Sequence, residues 1–257
     1  MKKRVVFLCT AVLALACVAA YAQVSPTSRH EGTMPVGMGS QGPLVAPASC
    51  SPCLWYSGDS DENAVGYNGL WNSNQTGLGL SGAVYVPFVP APDGNPLHLH
   101  AAVTSVSFYI QADTTSTNPP PDYVNTTYEF RSKQVLSGSG GTLGKHGTCY
   151  STTWNYVRTD IYGYNTYFLT CFFKTPIKVA VGTIGWVNIL PTLNGSTMAY
   201  VVNVNDFPPA NQLGWGDMED DSFVNSSSFG YNFSPANGAG GVAFPQFSVA
   251  MAGTYVD

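Results

Sequence analysis

One segment of this chain carries oxygen-bearing side chains at alternate positions, a spacing with which a chain can bind a metal ion. Asp59, Asp61 and Asn63 alternate in the segment YSGDSDENAVGYNGL, which also contains two later glycines. Alternating oxygen ligands followed by glycine are typical of a chain that wraps a hard cation such as Ca²⁺. The segment is not an EF-hand, because the glycines come too late and the twelfth position is Leu70 rather than Glu.

A second acidic cluster packs four carboxylates into Asp217–Asp221, and no Lys or Arg follows Lys178. Carboxylates buried without a counter-charge would be costly or protonated. The two clusters are therefore either solvated on loops or neutralised by calcium, and secreted modules often use weak calcium sites. The expected calcium ligands are Asp59, Asp61 and Asn63, joined by Asp220 or Asp221.

The cysteines indicate a disulfide framework. Four of them follow residue 22: Cys50, Cys53, Cys149 and Cys171. An even number in an oxidising compartment predicts disulfides. Cys149 and Cys171 flank the turn-like segment RTDIYGYN symmetrically, so we expect them to lie opposite each other on a hairpin, and elimination pairs Cys50 with Cys53. Redox and zinc sites also use C-x-x-C, but here a strand-like LWY follows and the other two cysteines are far apart.

The remaining side chains with catalytic or metal-binding chemistry form no recognisable catalytic constellation. His98 and His100 share one face of a strand and, with His146, are compatible with a transition metal, although exposed histidines beside a turn are ordinary. No G-x-S-x-G motif occurs. A glycan hydrolase with paired carboxylates stays as an alternative, since acids are present but their separation is not readable from sequence. We expect a non-enzymatic protein.

Aromatic residues offer a further hypothesis. Alternation along a strand places Trp154 and Tyr156 on one face, where the two rings could stack on sugars. Core packing explains the same pattern equally well. A carbohydrate-binding module is therefore the first alternative to a structural role.

The beginning of the chain predicts export. Residues 1–22 combine a basic start, an apolar run at Val5–Ala19 and a small-x-small end, which together are typical of a signal peptide. A lipoprotein signal ending at Cys17 is the rival interpretation. No later stretch approaches the about 18 apolar residues of a membrane span, so we expect a protein secreted to the extracellular space or cell surface.

The charge distribution excludes several partners. Three of the ten basic residues precede residue 23, which leaves seven against 15 acidic residues. Six of those seven lie between Arg131 and Lys178. Nucleic acids and anionic membrane surfaces are bound through broad basic faces, so neither is an expected partner.

The organisation predicted from the pattern is an arm followed by a β-domain. Residues 23–49 are rich in Pro, Gly and Ser and read as an extended arm or linker. Residues 50–257 hold short alternating or apolar runs between turn signals, which predict a single antiparallel β-sandwich, jelly-roll-like. The predicted strands are Ala83–Pro90, Ala102–Ala112, Thr126–Ser132, Tyr150–Val157, Thr166–Phe173, Gly185–Leu193, Ala199–Val204 and Gln246–Gly253.

Three segments carry a family resemblance: LWYSGDSDENAVGYNGLWN, YEFRS followed by SGSGGTL, and DDSFVNSSSFGYNF. They are similar to a group of uncharacterised secreted bacterial proteins with a W-Y-x-G-D…N-G-L opening and a late D-D-S-F-x-N-S…F-G-x-N-F block. The resemblance implies a β-sandwich and no particular activity. This chain departs from the group in its cysteine-rich entry and in lacking a surface-sorting tail.

The functional expectation is a secreted structural or adhesive protein of the cell surface or extracellular matrix. Its surface residues are rich in Ser, Thr, Asn and Gly, and no nucleophile–base pair is legible. The arm at residues 23–49 could add to the sheet edge of a neighbouring copy and so build a filament or layer.

Overall fold

The computed structural model describes residues 53–57, 69–90, 92–133, 140–159, 164–202, 222–236 and 247–257. These residues form fourteen β-strands, numbered β1 to β14 in chain order, and one short turn of 3-10 helix at Ser227–Phe229. The strands make two packed seven-stranded sheets. The predicted all-β sandwich is therefore confirmed, while the jelly-roll connectivity stays a prediction.

The first sheet is organised around its longest central strand, β5. Strand β9 follows β5 along one side, and β14 and β11 share the other side. β1 pairs with β14, β2 pairs with β11, and β8 pairs with β9. The strands are β1 (Cys53–Tyr56), β2 (Gly69–Trp71), β5 (His100–Ala112), β8 (Ser151–Thr159), β9 (Asn165–Ala180), β11 (Ala199–Val202) and β14 (Val249–Val256).

The second sheet is mixed. β10 pairs antiparallel with β6 along one side, and on its other side it pairs first with β4 and then, in parallel, with β3. β12 and β13 extend the sheet beyond β4, and β7 extends it beyond β6. The strands are β3 (Ser73–Gln75), β4 (Leu80–Phe88), β6 (Tyr123–Ser132), β7 (Thr142–Thr148), β10 (Gly185–Leu193), β12 (Phe223–Ser226) and β13 (Tyr231–Pro235).

The core lies between the two sheets because their inner faces carry β-branched and aromatic side chains. Val106, Phe108 and Ile110 of β5 meet Val187 and Ile189 of β10 in one buried cluster. Side chains of this size contribute about 1.5–3 kcal/mol each when they are fully buried. The inter-sheet core is therefore the main source of stability.

The outer face of the first sheet is also buried. Tyr109 and Phe168 lie edge to face with their ring centres 4.7 Å apart, and Val202 and Ala250 pack in the same cluster. The outer face of β5 carries Ser105, Ser107 and Gln111 beside Tyr109, and all four are buried, so both faces of this strand are covered although only the inner one is uniformly apolar.

The Cys149–Cys171 disulfide joins the two sheets. The pairing was predicted correctly, but the expected cross-strand geometry was wrong, because Cys171 on β9 lies opposite Thr152 rather than Cys149. The main-chain N–H of Cys149 donates to the carbonyl of Thr126 on β6, which holds this cysteine beside the second sheet. The bridge therefore staples the sandwich where the chain crosses from β7 to β8.

Cys53 is also disulfide-bonded. Its expected partner, Cys50, lies outside the described residues, so the pairing of Cys50 with Cys53 stays a prediction. The leader at residues 1–22 and the arm at residues 23–49 lie outside them as well.

Candidate functional site

The five expected calcium ligands all lie outside the described residues: Asp59, Asp61, Asn63, Asp220 and Asp221. In the part of the chain that the structure describes, no three His, Cys, Asp or Glu side chains lie together in a way that could hold a metal ion. A calcium site shared by the two acidic clusters stays a prediction.

The three histidines considered as metal ligands have separate environments. The Nδ1 of His98 lies 2.7 Å from Oδ2 of Asp93, and this hydrogen bond is the main reason that the pKa of Asp93 is below its usual range. His100 begins β5 in the first sheet, whereas His146 lies on β7 in the second sheet. His98 is thus engaged in a local hydrogen bond with Asp93 on a loop.

One carboxylate on the outer face of the second sheet is held by three donors. Oε2 of Glu129 accepts hydrogen bonds from the Tyr85 hydroxyl at 2.7 Å and from Nε and Nη2 of Arg131 at 3.0 and 2.9 Å. The guanidinium of Arg131 also lies over the rings of Tyr85 and Phe233, at 5.2 and 4.5 Å from their centres. Burial and the nearby carboxylate raise the pKa of Tyr85 well above its usual value.

This cluster is suited to cross-bracing strands rather than to proton transfer. Arg131 donates a further hydrogen bond to the carbonyl of Gly140, at 2.9 Å. A side chain at Gly140 would lie 2.8 Å from the Phe233 ring, so glycine allows the ring to close over the arginine. Asp122 is similarly engaged, since its Oδ2 accepts the main-chain N–H groups of Gly195 and Thr197 at 3.1 Å each.

The two aromatic residues expected to form a sugar platform differ in exposure. Trp154 is 6% exposed and packs edge to face against Tyr123 and Tyr167, with ring centres 5.4 and 5.3 Å away. Tyr156 is 39% exposed and its hydroxyl lies 2.9 Å from Oγ1 of Thr159. Trp154 is therefore a mostly buried side chain of the core, and a role for Trp154 and Tyr156 in stacking on sugars stays a prediction.

The most distinctive exposed feature is the edge of the first sheet. Among the described strands, β8 pairs with β9 alone, so the other side of Ser151–Thr159 has no neighbour there. We call this side the β8 edge. Val157 is 40% exposed, and Tyr150, which precedes the strand, is 69% exposed. A nine-residue edge of this kind presents main-chain N–H and C=O groups for pairing with another strand.

The β7 edge of the second sheet has the opposite character. β7 contains Lys145, His146 and two glycines in its seven residues, features that discourage strand addition. β8 carries Arg158 as its single charged residue and is otherwise rich in Thr, aromatic residues and Val, which are strand formers. The β8 edge is therefore the better candidate for an interaction surface.

Sequence reasoning found the strand but not its position at an edge. The run Tyr150–Val157 was predicted from its β-branched and aromatic residues, and the structure places β8 at Ser151–Thr159. Whether a strand lies at an edge depends on which other strands pair with it, and the residue pattern within one strand does not show this. The low charge of the strand is the signal that could have drawn attention to it.

None of the described elements is a helix long and apolar enough to cross a membrane. Comparison with protein-family models, curated proteins and solved structures found no match to this chain. The resemblance to secreted bacterial β-sandwich proteins therefore stays a prediction, and the chain's function is inferred from its own geometry.

Proposed function

We propose that the protein is an exported, non-enzymatic structural or adhesive component of the cell surface or extracellular matrix that self-associates through the β8 edge. The observation that carries the proposal is the nine-residue, nearly uncharged edge strand with Tyr156 and Val157 exposed. The disulfide between Cys149 and Cys171 fits an oxidising compartment and braces the start of this edge.

A second copy of the chain is the partner that this edge fits best. Two identical edges pair antiparallel about a twofold axis without any further complementarity, and main-chain hydrogen bonds supply the affinity. In a pairing centred on Asn155, Thr153 approaches Val157 of the second copy, which lies at an irregularity in the pairing of β8 with β9, and β-branched cross-strand neighbours stabilise a sheet. Sparse charge on β8 means that little like-charge repulsion opposes this contact.

The arm of a neighbouring copy is the other segment that could occupy the edge. Residues 23–49 contain four prolines, which donate no hydrogen bond to a ladder. Pairing of β8 with β8 is therefore favoured over addition of the arm. The two arrangements differ in outcome, since twofold pairing closes a dimer, whereas head-to-tail addition of an arm continues into a filament.

The geometry gives less support to the two alternative functions. A carbohydrate platform would require an exposed indole, and Trp154 is buried against Tyr123 and Tyr167. Paired catalytic carboxylates would need two acids that face one another, whereas Glu129 is bound through Oε2 by Arg131 and Asp122 through Oδ2 by two main-chain amides at separate places. These contacts support a non-enzymatic role.

Sedimentation velocity of the chain from residue 23 onward, over a range of concentrations, tests the proposal. We expect dimers or larger species that dissociate in Val157→Lys, because a lysine on an edge disfavours pairing. Val124→Lys is the matched control, since Val124 is 51% exposed on β6, an interior strand of the second sheet.

Deleting residues 23–48 shows whether the β8 edge pairs with β8 of the second copy or with the arm of the second copy. Association that survives the deletion identifies β8 as the partner strand, and association that is lost identifies the arm. A protein that is monomeric at every concentration, or association that Val157→Lys and Val124→Lys leave equally intact, would contradict the proposal.

A further inference from the structure

A pocket of about 490 Å³ opens at one end of the sandwich, away from the β8 edge. It lies where the ends of β4, β6 and β9 meet the loop between β9 and β10. Its volume falls within the range of small-molecule binding pockets, about 300–1,000 Å³. The pocket is therefore large enough to bind a small ligand.

The interior of the pocket is apolar. Phe88 and Phe130 lie edge to face with ring centres 5.8 Å apart, and Ile177 and Val179 of β9 complete the lining on the side of the first sheet. Gly185 permits this arrangement, because a Cβ there would lie 2.6 Å from the Phe88 ring. Such a surface binds hydrocarbon, and each methylene that enters it contributes to affinity.

The charged residues that line the pocket, within the described part of the chain, are all cations: Arg131, Lys145 and Lys178. This is notable in a chain where 15 acidic residues outnumber 10 basic ones. The three differ in what they can offer a ligand. Arg131 is held on the outer face by Glu129 and Gly140, and the Nζ of Lys178 donates to the Asp257 carbonyl at 2.8 Å.

Lys145 is the cation placed to meet a ligand. Gly144 and Lys145 together lie opposite the buried Phe130, at an irregularity in the pairing of β6 with β7. Lys145 is exposed, and among the described residues it has no hydrogen-bond or ion-pair partner. Its ammonium group can donate three hydrogen bonds, so it can bind an anionic head group at the mouth of the pocket.

We propose that this pocket binds an anionic amphiphile, a single hydrocarbon chain with one acidic head group, with the chain against Phe88, Phe130 and Ile177 and the head group at Lys145. Charge complementarity selects the acid over a neutral or cationic head, because no carboxylate is among the described residues that line the pocket. The apolar lining selects a hydrocarbon body. This inference does not depend on self-association.

Isothermal titration calorimetry of the chain from residue 23 onward, with hexanoate, octanoate and decanoate below their micellar concentrations, tests the proposal. We expect saturable binding of one molecule per chain, tightening roughly fourfold per methylene until the pocket is filled. Acetate should not bind, and the decyltrimethylammonium cation should bind more weakly than decanoate.

Three variants distinguish the contribution of the head-group contact to binding from that of the apolar pocket. Lys145→Gln should weaken decanoate binding by roughly twofold to fivefold, whereas Lys174→Gln, an exposed lysine on β9 outside the lining, should leave it unchanged. Val179→Trp should abolish binding by filling the pocket while keeping Lys145. Thermal unfolding of each variant verifies that it is folded.

Several results would overturn the inference. They are an absence of saturable decanoate binding to the unsubstituted chain, equal affinity for decanoate and the cationic surfactant, and unchanged affinity in Lys145→Gln. If Val179→Trp fails to fold, the chain-length series and the lysine pair still decide the question. Binding of decanoate only when it is presented in phosphatidylglycerol vesicles would assign the surface to a membrane and also refute a pocket for single molecules.

Discussion

The side-chain amide of Asn72 hydrogen-bonds to both β4 and β10 of the second sheet. It lies between β2 and β3, where the chain crosses from the first sheet to the second. Its Nδ2 donates to the Ile189 carbonyl at 2.8 Å, and its Oδ1 accepts from the Val84 N–H at 3.0 Å and from Nδ2 of Asn188 at 2.7 Å. These bonds satisfy main-chain groups where β10 changes its neighbour from β4 to β3.

Asn72→Ala should lower the free energy of unfolding by about 3 kcal/mol. The substitution leaves the Ile189 carbonyl and the Val84 N–H buried without their side-chain partner, and each such group costs about 1–3 kcal/mol. Urea unfolding measures the effect. Asn118→Ala, at an exposed loop position, should change stability by less than about 0.5 kcal/mol, and an equal loss in both variants would contradict the role of Asn72.

The phenol of Tyr85 makes stability sensitive to alkaline pH. Burial and Glu129 raise the pKa of Tyr85 in the folded protein, whereas the unfolded chain ionises near pH 10. The folded state therefore holds this proton more tightly, and stability is fully present below about pH 10 and falls as pH rises toward the folded pKa.

Tyr85→Phe should reduce the fall in stability between about pH 9 and pH 11. Some decline should remain, because burial also raises the pKa of Tyr167 and of Tyr255. Urea unfolding at several pH values measures the slope for both proteins. Identical slopes would show that the Tyr85 phenol ionises as readily in the folded state as in the unfolded chain.

At the scale of the elements, strand composition predicted the long strands and missed the short or polar ones. β10 was predicted with its observed bounds, Gly185–Leu193, because β-branched and apolar residues fill it between turn residues. β7 was missed, since TLGKHGT has no apolar alternation and is a strand only through its pairing with β6. Pairing between distant segments overrides local preference here.

The second half of β9 shows the same limit. The prediction stopped at Phe173, whereas the strand continues to Ala180. Pro176 and two lysines interrupt the apolar pattern, and the pairing with β5 shifts there, from Phe172 opposite Ser105 to Ile177 opposite Val103. Proline is tolerated at such an irregularity because it need not donate to the ladder.

The inter-sheet disulfide should stabilise the sandwich by about 3 kcal/mol, since it closes a loop with a sequence separation of 22 residues. Replacing both Cys149 and Cys171 with Ser should lower the unfolding free energy by that amount, as measured in urea. The single Cys171→Ser variant should lose at least as much unfolding free energy, because it also removes the disulfide and leaves the Cys149 thiol unpaired. A double variant as stable as the native chain would contradict the bracing role.

On the scale of the whole molecule, the two proposed surfaces lie beside different halves of one strand, β9. The first half of β9, from Asn165 to Phe172, pairs with β8, whereas its end, from Ile177 to Ala180, lines the pocket. Association through the β8 edge therefore leaves the pocket open. The sequence predicted neither location, because both depend on which strand ends meet in space.

Val157→Lys should bind decanoate with the affinity of the unsubstituted chain while it loses self-association. The reason is that Val157 lies on the strand paired with the first half of β9 and not in the pocket lining. Calorimetry and sedimentation of the same preparation measure both properties. Loss of both decanoate binding and self-association in this variant would show that the two surfaces are not independent.

Hydrogen–deuterium exchange of the β8 amides, measured at low and high protein concentration, tests the self-association claim most directly. Amides of Ser151–Thr159 that point away from β9 exchange quickly in a monomer and become protected when a second copy pairs with them. Pairing of two copies through β8 should give protection that rises with concentration on β8 and not on β7. Exchange on β8 that is equally fast at every concentration would contradict it.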